Sequence, residues 1–306
     1  MTWFATLLLA CSASTGWQAT PIPVDGFEAR QSAVSASGPL VGGKDSRNLP
    51  VVVRFDGKEV ESASLGTDGF VTALATLGDS AWAIVRHPTA RSDERLVLYR
   101  SNDAGATWRE VGRVPFSSVT QLAARSSAEL WVLGPHTLAR TTDTGASWQP
   151  VAAPGDRNSL TEHLVVVDGT VALLGPTTLT SDDGASWSSQ THDANPVGWS
   201  NGVYLGSTDA GPGYSRDGTW HTLPDLPAGA RPLTLRASGD YIDVLIGAPT
   251  GPSQHRVTLL RSDDQGAHWT SSSVAAQTFD PTWAIGPDRT AYVLGLGFKT
   301  LEWNHP

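Results

Sequence analysis

SNDAGATW at 101–108, TTDTGASW at 141–148, TSDDGASW at 180–187 and SDDQGAHW at 262–269 are four readings of one eight-residue pattern. A shortened copy, SRDGTW, occupies 215–220. The residue types suit a tight turn between two strands. Asp103, Asp143, Asp182 and Asp264 can accept backbone N–H bonds inside the turn, as Asx turns do. Gly105, Gly145, Gly184 and Gly266 allow a positive φ at which a side chain would clash. Asp217 and Gly218 take these places in the short copy. Trp108, Trp148, Trp187, Trp220 and Trp269 then open the next strand and offer a large flat surface to a neighbouring blade. These residues are read as structural.

The five tryptophans stand 40, 39, 33 and 49 residues apart, close to the ~40–45 residues of a four-stranded propeller blade. A second apolar strand recurs in step: SAWAIV (80–85), ELWVLG (129–134), TVALLG (170–175), GVYLG (202–206), YIDVLIG (241–247) and TAYVLG (290–295). Hairpin dipeptides precede four of them, at Gly78-Asp79, Asp168-Gly169, Asn201-Gly202 and Gly239-Asp240. The expected fold is therefore an all-β propeller of four-stranded blades, residues 49–306. Six blades are expected, and seven if residues 27–66 fold as a further unit. Because 292–303 aligns with 131–140, the chain is expected to end in a third strand. The segment 50–65 then supplies the missing outer strand of the last blade.

Composition narrows the function. Charged residues make up 17% of the 306, net charge is −9, and 31 Gly and 20 Pro accompany 12 Trp. Such a turn-rich chain excludes a coiled coil and a mostly helical enzyme. No basic run supports nucleic-acid binding. The eight His form no metal-ligand pair and the single Cys allows no disulfide. No metal and no cofactor is expected, and His268, in place of a Thr, is expected to cap or pack. Residues 38–45, GPLVGGKD, approach a phosphate-binding loop but lack the Ser or Thr after Lys44.

The repeated turn resembles the Asp box, or bacterial neuraminidase repeat. That resemblance implies a propeller scaffold in which the boxes lie away from the substrate site. Sialidases of this type use three arginines, a Tyr nucleophile with a Glu, and an Asp acid/base. The family's early Arg-Ile-Pro motif has no counterpart here. Arg125, Arg236 and Arg289 fall at turns on the box face, and Tyr204, Tyr241 and Tyr292 fit core positions. The chain also looks like the propellers related to photosystem II assembly factors, which act through protein contacts. The expected function is a non-enzymatic binding or assembly platform, monomeric, with a protein or glycan partner. The alternatives are an exo-acting, sialidase-like glycoside hydrolase and a non-hydrolytic carbohydrate-binding propeller.

Residues 1–11, MTWFATLLLAC, resemble a lipoprotein signal in which the sole cysteine, Cys11, becomes a lipid-bearing mature N-terminus. This implies export and anchoring at the bacterial cell envelope, with membrane contact through the lipid alone. Residues 12–48, rich in Ser, Ala, Gly and Pro, read as a flexible tether. Two units carry about ten extra residues between second and third strands, in RHPTARSDER (86–95) and GAPTGPSQHR (247–256). These loops are expected on the face opposite the boxes. They would bring Arg86, His87, Arg91, Arg95, His255 and Arg256 to one side as an anion-holding surface.

Overall fold

The computed structural model describes residues 5–12, 16–56, 59–88, 95–135, 137–152, 163–251, 254–277 and 282–297. Seven four-stranded antiparallel sheets form the molecule. Blade 1 comprises Glu28–Ser35, Gly38–Lys44, Pro50–Phe55 and Val60–Ser64. Blade 2 comprises Phe70–Leu77, Ser80–His87, Arg95–Ser101 and Arg109–Val114. Blade 3 has Gln121–Ala124, Leu130–Gly134, Thr137–Thr141 and Gln149–Pro150. Blade 4 has His163–Val167, Thr170–Leu174, Thr177–Ser181 and Ser188–Thr191. Blade 5 has Asn195–Ser200, Val203–Thr208, Gly211–Ser215 and Trp220–Thr222. Blade 6 has Arg231–Ser238, Tyr241–Gly251, Gln254–Ser262 and Thr270–Gln277. In blade 7, Thr282–Ile285 and Ala291–Gly297 are joined by Ala5–Ser12 and Gly16–Pro21.

The first strands of successive blades neighbour one another around a closed ring, with blade 7 against blade 1. The second strands are buried almost continuously, as in Ala81–Val85 and Leu130–Leu133. A blade is covered on both faces by its neighbours, which accounts for apolar runs where a half-exposed strand would alternate. Most of the core lies in the seams between blades. Leu40 and Val52 of blade 1 meet Val71 and Ala83 of blade 2, and Leu98 of blade 2 meets Val132 of blade 3.

The seven-blade arrangement follows from residues 28–64, which make a complete blade. The flexible tether expected at 12–48 is thus replaced by strands. Its few large apolar residues are the anchors: Phe27 is fully buried and Trp17 nearly so. The stretch 38–45 contributes the second strand of blade 1, where a side chain on Gly42 would collide with Val71 of blade 2. The last blade is closed by the N-terminal part of the chain, as expected, but by two strands and from a different segment. Residues 50–65 stay within blade 1, and Ala5–Ser12 pairs with Ala291–Gly297, placing Leu8 opposite Leu294. Trp17 starts the fourth strand of blade 7 and packs onto Leu245 and Val257 of blade 6, the place the repeated Trp holds elsewhere.

The repeated turns are hydrogen-bonded as their residues suggest, with a second participant. In the first, the buried Ser101 hydroxyl donates to Asp103 at 2.7 Å and accepts the Gly105 N–H at 2.8 Å. Asp103 also accepts the Thr107 N–H and hydroxyl at 2.9 and 2.5 Å. Thr141, Asp143, Gly145 and Ser147 repeat this set. In the last turn the His268 ring, 2.5 Å from Asp264, stands where the Thr hydroxyl would be. Asp182 is a correction. Asp183 accepts from Ser181, Ala185 and Ser186, because Ser181 rather than Thr180 supplies the central hydroxyl. Asp182 instead accepts from the Thr170 hydroxyl at 2.6 Å. The turn glycines have φ between +73° and +100°, and a side chain on Gly105 or Gly266 would strike Leu40 or Tyr214 of the preceding blade. These turns therefore clamp blade to blade.

Candidate functional site

Antiparallel alternation sends the first-to-second and third-to-fourth connections of every blade to one face. The repeated turns occupy that face. The second-to-third connections, and the starts of the first strands, lie on the other. There, a pocket of about 520 Å³ is lined by residues of blades 4 to 7: His163, Val197, Ser207, Arg231, Pro232, Leu233, Gly247, His255, Val257 and Trp283.

Local sequence explains this lining. Asn195-Pro196-Val197 and Arg231-Pro232-Leu233 open the first strands of blades 5 and 6. Both ladders shift register there, between Pro196 and Gly198 and between Pro232 and Thr234. Proline cannot donate to a ladder, and a bulge re-aims the residue beside it. Val197 and Leu233 are those residues. Trp283 of blade 7 is fixed by an indole N–H bond of 3.0 Å to the Leu233 carbonyl. From the far side, the Ser32 hydroxyl of blade 1 donates to the Trp283 carbonyl at 2.8 Å.

The polar groups are few. Arg231 is exposed and makes no ion pair among the described residues. Nδ1 of His255 is buried without a hydrogen-bond partner. Burial holds the His163 imidazole below its usual pKa, which favours the neutral ring. The described lining includes no carboxylate and one arginine, and no cluster of three metal-ligating side chains occurs among the described residues.

Of the described loop residues expected to form one surface, His255 alone reaches this pocket. The expected convergence is corrected by the ring. Arg86, His87 and Arg95 belong to blade 2, and blades 1 and 7 separate them from His255 and Arg256 on blade 6. Their partners are local. Arg86 donates to the Ser118 hydroxyl at 3.3 Å, His87 lies 3.1 Å from the Asp68 carboxylate, and Arg95 is 3.5 Å from Glu110. Arg256 is exposed, and Arg91 lies outside the described residues. The blade 6 insertion extends a ladder, pairing Ala248 with Arg256 and Pro249 with His255. Lengthening that hairpin is what brings His255 to the pocket.

Arg125, Arg236 and Arg289 lie on the face of the repeated turns, as expected. Arg125 bonds to the carbonyls of Gly169 and Asp182 in blade 4. Arg289 grips the buried Asp243 with two bonds of 2.7 Å and reaches Asp263 at 2.7 Å, tying blade 7 to blade 6. Tyr204 stacks on Trp199 and Tyr292 is buried. Tyr241 departs from its expected core position. It is 46% exposed, and the Arg289 guanidinium lies 4.3 Å above its ring.

Reading the insertions passed over Arg231, Leu233 and Trp283. A signal was present, since Pro in the second position of a first strand recurs in blades 5 and 6. No family model matches the chain, and no curated protein sequence does. Solved structures do. A YCF48 structure bound to a D1 peptide superposes with a TM-score of 0.59 at 14% identity, covering 91% of this chain and 96% of that one. YCF48 from Cyanidioschyzon merolae gives 0.55 at 14%, covering 90% and 97%. The Pan2 WD40 domain of Neurospora crassa gives 0.53 at 11%, covering 90% and 91%. At such identities the likeness is one of architecture: the chain has the fold of a β-propeller.

Proposed function

We propose that this protein is a non-enzymatic platform of the Asp-box type, and that it holds a segment of a partner protein in the blade 4–7 pocket. The carrying observation is the pocket's make-up, an apolar wall of Val197, Leu233, Val257 and Trp283 beside Arg231, which makes no ion pair among the described residues. Pockets of ~300–1,000 Å³ with apolar walls and a few polar groups are the usual form of a binding site. That a structural neighbour is described as bound to a peptide supports the same use of this scaffold. A peptide array probed with the full chain and with Leu233→Glu tests it. Peptides retained by the native chain should be lost by the variant. Retention of the same peptides by a folded Leu233→Glu would overturn the assignment.

We further propose an envelope location through a lipid on Cys11, on the strength of Leu8-Leu9-Ala10-Cys11 and the absence of any other cysteine. Cleavage before Cys11 would remove residues 5–10 from the strand Ala5–Ser12, so anchor and strand are alternatives in the mature chain. Mass analysis of the N-terminal peptide decides. A diacylated Cys11 supports the anchor, and an unmodified N-terminus upstream of Cys11 retires it.

A further inference from the structure

The make-up of the pocket specifies more than a peptide. The whole chain carries a net charge of −9, yet the described lining of this pocket has Arg231, His163 and His255 and no acidic side chain. Arg231 sits at the open start of the first strand of blade 6, paired in the ladder with Gly247, and makes no ion pair among the described residues. Nδ1 of His255 lies buried and unpartnered. That atom is closed to solvent, so the charge facing the cavity is that of the exposed Arg231. The guanidinium fork is matched in shape to a carboxylate, and such charge-assisted bonds are about twice as strong as neutral ones. Across the same cavity, Val197, Leu233, Val257 and Trp283 offer only apolar contact.

Resting on the platform reading, we infer that the pocket takes a peptide segment bearing a carboxylate next to an apolar side chain. Arg231 holds the carboxylate, and the side chain lies on the Leu233–Trp283 wall. Arg231, Leu233 and Trp283, from two blades, thus define the ligand: an acid from one direction and a hydrophobe from the other. The carboxylate can be a chain terminus or an Asp or Glu side chain, and the probes separate these sources.

The test uses the full chain and two small probes, N-acetyl-L-leucine and its amide, followed by ligand-observed NMR at pH 7. One charge-assisted bond is worth about tenfold in affinity, so the acid should bind about tenfold more tightly than the amide. Arg231→Gln should bring the two together by weakening the acid more than the amide, and added salt should likewise weaken the acid more. Two hexapeptides then locate the acid. One ends in a free Leu carboxylate; the other has a blocked terminus and an internal Leu-Glu pair. Tighter binding of either identifies the source. Equal binding of acid and amide, or a preference that survives in Arg231→Gln, overturns the inference, as does failure of both probes to bind. Array peptides lost with Leu233→Glu but indifferent to charge would leave the platform reading standing and remove this one.

Discussion

Asp103 and Asp264 show how much a turn can ask of one carboxylate. The Thr107 hydroxyl, with the Thr107 N–H, holds Asp103 at a pKa of about 2. The His268 N–H, then its ring, hold Asp264 at about 2. Asp143 and Asp183 are lowered as well, the former chiefly by the Ser147 hydroxyl and the latter by the Ser186 N–H. Each of these groups binds its proton less readily in the folded chain than in the unfolded one, where the pKa is about 4. Their contribution to stability is therefore present above about pH 4 and lost as pH falls towards 2. The melting temperature should drop across that window. In an Asp103→Asn/Asp264→Asn variant the drop over the same window should be shallower. Thermal melts at pH 5, 4, 3 and 2 measure it, and parallel curves would show that these carboxylates do not govern acid stability.

At the scale of the element, position in the blade decides what a tryptophan contributes. Trp82 and Trp131 lie in second strands, sealed between neighbouring blades and fully buried. Trp148 and Trp187 lie at the starts of fourth strands and remain partly exposed. Their rings meet the preceding seam edge-on, Trp148 on Phe116 at 6.3 Å and Trp187 on Trp131 at 6.2 Å. Trp131→Ala should therefore cost about 3–5 kcal/mol, the range for emptying a packed aromatic site. Trp187→Ala should cost less, because water already reaches part of the ring it vacates. Urea unfolding of both variants gives the order directly, and the reverse order would contradict the seam account.

For the whole molecule, closure of the ring is the stability question. Blade 7 is built from both ends of the chain, and Trp17 is the bulkiest group that its N-terminal part sends into the blade 6 seam. Trp17→Ala should destabilise by about 3–5 kcal/mol, more than a change on an outer strand would suggest. This expectation belongs to the chain that keeps residues 5–10, because Gly16–Pro21 is held in the blade by pairing with Ala5–Ser12. Chemical denaturation followed by far-UV circular dichroism checks it. A loss within about 0.5 kcal/mol, the usual size for an uninvolved surface site, would mean that the ring does not close through this strand.

Local order was legible in the residues. The Trp period, the six apolar second strands and the hairpin dipeptides all mark structures formed between neighbours in sequence, where spacing alone carries the geometry. The turn chemistry was legible too, except at Asp182, where two adjacent aspartates compete and the position of one hydroxyl, Ser181, selects Asp183. Blade 1 was legible only as the alternative of a further unit over 27–66, because residues 28–64 carry no repeated turn and no Trp and their burial depends on contact with blades 7 and 2. The pocket escaped for the same reason. Arg231, His255 and Trp283 are tens of residues apart, and only closure of the ring brings their strand ends to one mouth. Sequence by itself determined the blade and its turns, because those are short-range; the number of blades, the closing strands and the site were decided by tertiary structure, because each is a property of the ring.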